Sequence, residues 1–139
     1  MRGSTNDDFE VLTASACHEG IEHFGVGIVV RDRSGRVLLI RRTDHDDLPG
    51  SWEYPGGDRT NDETVEAGAA RELAEETGLT GLDLEFARTI DYTDHKRRRV
   101  RQFVFTTAVP DGTTAVLSGG HNGQQWARPD ALPHTDVVP

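Results

Sequence analysis

Three glutamates, Glu72, Glu75 and Glu76, stand at helical spacing in the segment Arg71-Glu72-Leu73-Ala74-Glu75-Glu76. At 3.6 residues per turn they fall within about 100° of one another, so their carboxylates crowd one stripe. Like charges so placed repel. A folded helix tolerates such a cluster most readily when a hard divalent cation sits among the oxygens, and Mg²⁺ with retained water is the usual ion where phosphate is processed. An isolated Glu-Glu pair is ordinarily a solvated helix face.

This pair is not isolated. Gly57, Glu63, Arg71, Glu72, Glu75, Glu76 and Gly78, with the aliphatic Leu73 and Leu79, occupy set distances along one segment. At average residue usage, chance supplies that pattern on the order of once in 10⁹ start positions. The segment matches every fixed position of the pattern G-x5-E-x7-R-E-U-x-E-E-x-G-U, in which U is aliphatic. It therefore resembles the Nudix box, the signature of Mg²⁺-dependent hydrolases of nucleoside diphosphates linked to another moiety. The resemblance runs from about Gly25 to the C-terminus and is closest to the MutT-like members, whose Leu-Glu-Phe-Pro-Gly-Gly is similar to Trp52-Glu53-Tyr54-Pro55-Gly56-Gly57 here.

The resemblance implies that Glu75 and Glu76 hold Mg²⁺, with Mn²⁺ as the alternative ion, together with the backbone carbonyl of Gly56. Glu72 is implied as a further ligand or as the general base. Arg71 can pair with a carboxylate and keep it ionised, or serve as an ordinary i,i+4 partner of Glu75. Glu63 supports the loop at the helix N-terminus, and Gly56 and Gly57 permit a sharp turn that brings backbone close to metal and phosphate. Arg42 matches by position an arginine that MutT-like enzymes use at the substrate phosphate. Arg97, within Lys96-Arg97-Arg98-Arg99, is placed to reach the far phosphates or to decorate a charged hairpin turn. Tyr54 and Trp52 read as pocket wall or core. Asp136 occupies the place from which MutT-like enzymes read the base, and an ionised Asp accepts hydrogen bonds only, which suits an amino-bearing edge. The proline that marks ADP-ribose members is His95 here, which argues against that substrate. His45, His95, His121 and His134 show no metal-ligand spacing and read as surface residues.

The implied activity is cleavage of a nucleoside triphosphate to the monophosphate and pyrophosphate. Hydrolysis of nucleotide sugars or related diphosphates is the alternative, and a non-catalytic nucleotide-binding module is the third reading. Two departures from the family stand out: little chain remains for the usual second helix, and Asn122 sits where many members carry a fourth acidic ligand ahead of Trp126.

The elements that must position these residues follow from pattern. Residues 1–20 mix small and acidic residues without periodicity and read as a flexible arm, leaving 21–139 as a single domain. Phe24 to Val30 is a buried strand, Arg36 to Arg42 its hairpin partner across Asp32-Arg33-Ser34-Gly35, and Trp52 to Tyr54 a short strand broken by Pro55-Gly56-Gly57. The helix starts between Thr60 and Thr64, ends at Gly78, and turns Ala67, Ala70, Leu73, Ala74 and Thr77 to the core. Leu82 to Tyr92, Val100 to Val109 and Gln124 to Arg128 read as strands. Strands around one strong helix predict an α/β (α+β) sandwich, and the resemblance sharpens this to a mixed β-sheet packed by the Nudix helix, with the second helix short or absent.

Composition narrows the partners. At 139 residues and a net charge of −9, the chain is one domain and a poor match for nucleic acid or an anionic membrane. Small phosphorylated substrates are the expected partners, and a homodimer is left open. A single cysteine, Cys17, excludes an internal disulfide and suits a reducing compartment. No apolar run approaches about 18 residues and no signal pattern opens the chain, so a cytoplasmic location is expected.

Overall fold

The computed structural model describes residues 19–43, 50–60, 62–131 and 137–138. Most of the expected arm, Cys17, His45, His134 and Asp136 lie outside them. The first strands are β1 (His23–Arg31), β2 (Val37–Arg42), β3 (Trp52–Glu53) and β4 (Gly56–Asp58). Then come helix α1 (Val65–Thr77) and strands β5 (Glu85–Thr93), β6 (Arg99–Ala108), β7 (His121–Ala127) and β8 (Val137–Val138), with a 3-10 turn at Pro129–Ala131. One α-helix against a mixed sheet is the α+β architecture expected from the pattern, and among the described residues no second α-helix occurs.

β1 organises the sheet. It runs parallel to β6 along its whole length, from His23 opposite Val100 to Arg31 opposite Ala108. Its other edge is divided: Arg31 meets Val37 of β2 at the hairpin, while Gly25, Val26 and Gly27 pair antiparallel with Asp58, Gly57 and Gly56 of β4. β2, having parted from β1, pairs with β7 on one side and β3 on the other. The period-2 rule explains why β1 tolerates glycines. Val26, Ile28 and Val30 are fully buried and face a core shared with Leu73, Phe103 and Phe105. Gly25 and Gly27 occupy the alternate positions, where a side chain on Gly27 would press on the Gln102 amide at 3.0 Å.

The helix starts at the later of its two candidate caps. The Thr64 hydroxyl accepts from the Ala67 N–H at 3.0 Å, while Glu63 folds back to accept from the Thr60 N–H at 2.9 Å. Gly78 closes the helix at φ 73° and donates its N–H to the Ala74 carbonyl, which a side chain would strain. The core stripe differs from the expected one: Val65, Gly68, Ala69, Leu73 and Thr77 are buried, whereas Ala67 and Ala70 are exposed. The helix is rotated so that Glu72 and Glu76 turn toward the sheet, a choice that apolar pattern alone does not reveal.

A second difference concerns Pro55-Gly56-Gly57. The strand breaks only at Tyr54-Pro55 and resumes as β4. Neither Gly56 nor Gly57 has positive φ, so turn geometry does not demand them. Space does: a Cβ on Gly56 would overlap the Val26 carbonyl oxygen, and one on Gly57 would come within 2.5 Å of the Glu72 carboxylate.

Candidate active site

Arg71 is the hub of the helix carboxylates. Its guanidinium donates to Glu63 at 2.8 Å, to Glu72 at 3.0 Å and to Glu75 at 3.2 Å, and a further N–H reaches the Asp58 carbonyl at 3.0 Å. One cation thus ties the helix face to the loop before it and to the end of β4. The pairing with Arg71 pulls the Glu63 carboxyl down to about 2, with the Thr60 N–H adding to the effect. Glu72 goes the other way, because partial burial raises it more than Arg71 lowers it.

Glu76 stands apart from this network. Its Oε1 accepts the Gly56 N–H at 2.8 Å, and burial pushes its carboxyl up to about 7. Its nearest charged company is a buried pair from two other strands. Glu53 of β3 and His121 of β7 meet at 2.7 Å, with side chains only 11% and 6% exposed. The other Glu53 oxygen receives Nε and Nη2 of Arg42 at 3.1 and 3.0 Å. Bonding to Glu53, with help from the Glu76 charge, raises the His121 imidazole despite its burial.

Of these groups, Arg42 and Glu53 border a cleft of about 330 Å³. Gly56, Gly57 and Asp58 form one wall, Arg42, Glu53 and Tyr54 a second, and Tyr92, Asp94, His95 and Arg98 the hairpin side. Gly25, Val100 and Gln102 add lining from the glycine-bearing face of β1 and β6, with His23 and Thr93 beside them. Of the residues singled out by sequence, the fold brings Gly56, Gly57, Arg42 and Tyr54 to the cleft, and Glu72 and Glu76 against β4. Glu75 is held at the exposed helix surface by Arg71. Arg97 sits at the hairpin tip with φ 62° and its N–H on the Asp94 carbonyl. Its neighbour Arg98 lines the cleft instead, braced on Asp94 at 2.8 Å.

Two residues, His121 and Glu53, were misread or overlooked in the sequence. His121 is buried rather than at the surface, because β7 pairs it opposite Arg42 of β2 and turns its ring inward. Asn122, the next residue, is exposed where the pairing of β7 with β2 shifts register, and accepts from Arg41 Nε at 2.9 Å. Glu53 went unmarked inside Trp52-Glu53-Tyr54; a lone carboxylate flanked by two aromatics in a short strand was the available signal.

Glu76 is a buried carboxylate held near neutrality, a group that a nearby cation would return to its charged form, and in this it fits a divalent ion. Glu72 and Glu75 are held by Arg71 rather than gathered with it.

The chain is similar to several known proteins. The chain is 38% identical over 106 residues to a MutT-like protein of Streptomyces ambofaciens, an alignment covering 76% of this chain and 63% of that one. It is 29% identical over 110 residues to the CTP pyrophosphohydrolase of Escherichia coli, covering 78% of each. The fold superimposes on the MutT protein from Methanosarcina mazei with a TM-score of 0.69 at 28% identity, over 79% of both chains. Residues 22–139 match the NUDIX domain model, and the chain belongs to the Nudix family.

Proposed function

We propose that this chain is a Mg²⁺-dependent pyrophosphohydrolase that cleaves a nucleoside triphosphate to the monophosphate and pyrophosphate. The observation that carries the reading is the placement of β4. Gly56 and Gly57 line the cleft, Gly56 donates to Glu76, and Gly57 lies so close to Glu72 that a Cβ there would meet its carboxylate, so the helix carboxylates and a substrate-sized space share one glycine strand.

Glu72, Glu75 and Glu76, with the Gly56 carbonyl, are assigned to the ion. When bound, Mg²⁺ supplies charge neutralisation at phosphoryl oxygens and acidifies water. Arg71 orients Glu72 and Glu75 and leaves Glu76 to be set by the Gly56 N–H. If Glu75 and Glu76 suffice to hold the ion, Glu72, partly buried and with its carboxyl raised, takes the alternative role of accepting a proton from an attacking water. Arg42, held side-on by Glu53, presents positive charge to the cleft for a substrate phosphate, and Tyr54 and Tyr92 offer aromatic faces to a base. Discrimination among bases through Asp136 lies outside the described residues.

The similarity to a CTP pyrophosphohydrolase supports a triphosphate over a nucleotide sugar. The deciding experiment incubates the purified chain with Mg²⁺ and panels of nucleoside triphosphates and nucleotide sugars, separating pyrophosphate from phosphate. Monophosphate and pyrophosphate from a triphosphate are expected, with Glu75→Gln lowering kcat by about 10²-fold or more, as loss of transition-state charge stabilisation does. Faster turnover of a nucleotide sugar than of any triphosphate would refute the assignment.

A further inference from the structure

Glu53, Glu76 and His121 come from three separate elements, β3, the last turn of α1 and β7, and converge on one point. Each offers a ligand atom, and these atoms lie within 4.8 Å of one another. Internal hydrogen bonding leaves the point incompletely satisfied. The His121–Glu53 bond takes one nitrogen and one oxygen, Arg42 takes the other Glu53 oxygen, and the second imidazole nitrogen, Nδ1, is buried with no partner. Glu76 brings a second carboxylate to the same spot, and Gly56 supplies it a single backbone N–H.

We propose that Glu53, Glu76 and His121 form a second divalent-cation site, selective for a borderline ion such as Mn²⁺, Co²⁺ or Zn²⁺. One imidazole nitrogen and two carboxylates are the donor set these ions favour, whereas Mg²⁺ prefers oxygen and water alone. Ligand atoms about 2.0 to 2.2 Å from an ion stand about 3 to 4.3 Å apart, so side-chain shifts of a few tenths of an ångström close the trio around it. The burial of Glu53 and His121 keeps water from competing. Glu76 is common to this site and to the carboxylates of the helix, so the two ion positions share one ligand. The proposal concerns ion binding by the resting protein and holds whether or not the chain hydrolyses a triphosphate.

The test titrates Mn²⁺ into the metal-free full chain and reads ¹⁴N modulation by pulsed electron paramagnetic resonance, with no substrate present. Imidazole coupling is expected in the wild type and in Glu75→Gln, should survive excess Mg²⁺, and should vanish in His121→Gln. Glu53→Gln keeps the imidazole but removes a ligand, and should weaken the nitrogen-coupled Mn²⁺ about tenfold or more, at least as much as loss of a group that orients a ligand. Circular dichroism establishes that each variant is folded; if His121→Gln is not, the Glu53→Gln affinity decides. Absence of ¹⁴N coupling at saturating Mn²⁺, coupling undiminished in folded His121→Gln, or unchanged affinity in Glu53→Gln would each overturn the proposal. Any of these results in a protein that still hydrolyses triphosphates with Mg²⁺ removes only the second site. An inactive protein with intact coupling removes only the hydrolase reading.

Discussion

Replacing Glu76 with glutamine should stabilise the metal-free protein at pH 8 and do little at pH 5. Burial holds the Glu76 carboxyl near 7, against an ordinary value of 4.5, so the native state keeps a proton that the unfolded chain releases. Stability from a group raised in this way is present at low pH and is lost as pH rises through the native value. With about 1.36 kcal/mol per unit, the whole window is worth about 3 kcal/mol, of which about 2 to 3 kcal/mol is lost between pH 5 and pH 8. His121, also raised, acts in the same direction, because its protonated form favours the fold until pH passes its native value. Glutamine keeps an oxygen for the Gly56 N–H and never ionises. Urea unfolding in chelator at both pH values measures the effect: Glu76→Gln should exceed wild type by about 2 kcal/mol at pH 8 and match it within error at pH 5. Saturating Mg²⁺ at pH 8 should stabilise the wild type and not the variant. A variant less stable than wild type at pH 8 would show that Glu76 is not held as a strained buried acid, and the reasoning would fail.

The two glycines of β4 should separate by readout. Gly56→Ala forces a Cβ onto the Val26 carbonyl and should cost about 1 to 3 kcal/mol in chemical denaturation, whereas Gly57→Ala pushes on the movable Glu72 carboxylate and should lower kcat with little loss of stability. Arg71→Ala releases three glutamates at once and should lower kcat by about 10- to 100-fold, as when a ligand-orienting residue is lost; Arg71→Lys should not rescue it, since an ammonium cannot reproduce the fork. Arg42→Ala should raise KM for the best triphosphate by about 10-fold or more with a smaller change in kcat, the scale of one charged hydrogen bond. An unchanged KM would leave Arg42 as a partner of Glu53 alone.

Local spacing determined much of this protein. Seven polar and glycine positions between Gly57 and Gly78 sufficed to place the three glutamates on one helical turn and to name the family, because a helix maps sequence distance onto angle with no help from the rest of the chain. Gly78 could be read as the helix stop for the same reason, and the turning of Val26, Ile28 and Val30 to one core follows from the pleat. What only the tertiary structure decided involves residues that meet across strands. The rotation of α1 depends on which face β4 accepts, and β4 exists because glycines can press against β1. His121 became an inward-facing partner of Glu53 through the pairing of β7 with β2, a register that no local pattern around His121-Asn122-Gly123 encodes. Strand pairing joins positions far apart in the chain, and a shift of one residue would exchange His121 for Asn122 at that buried point.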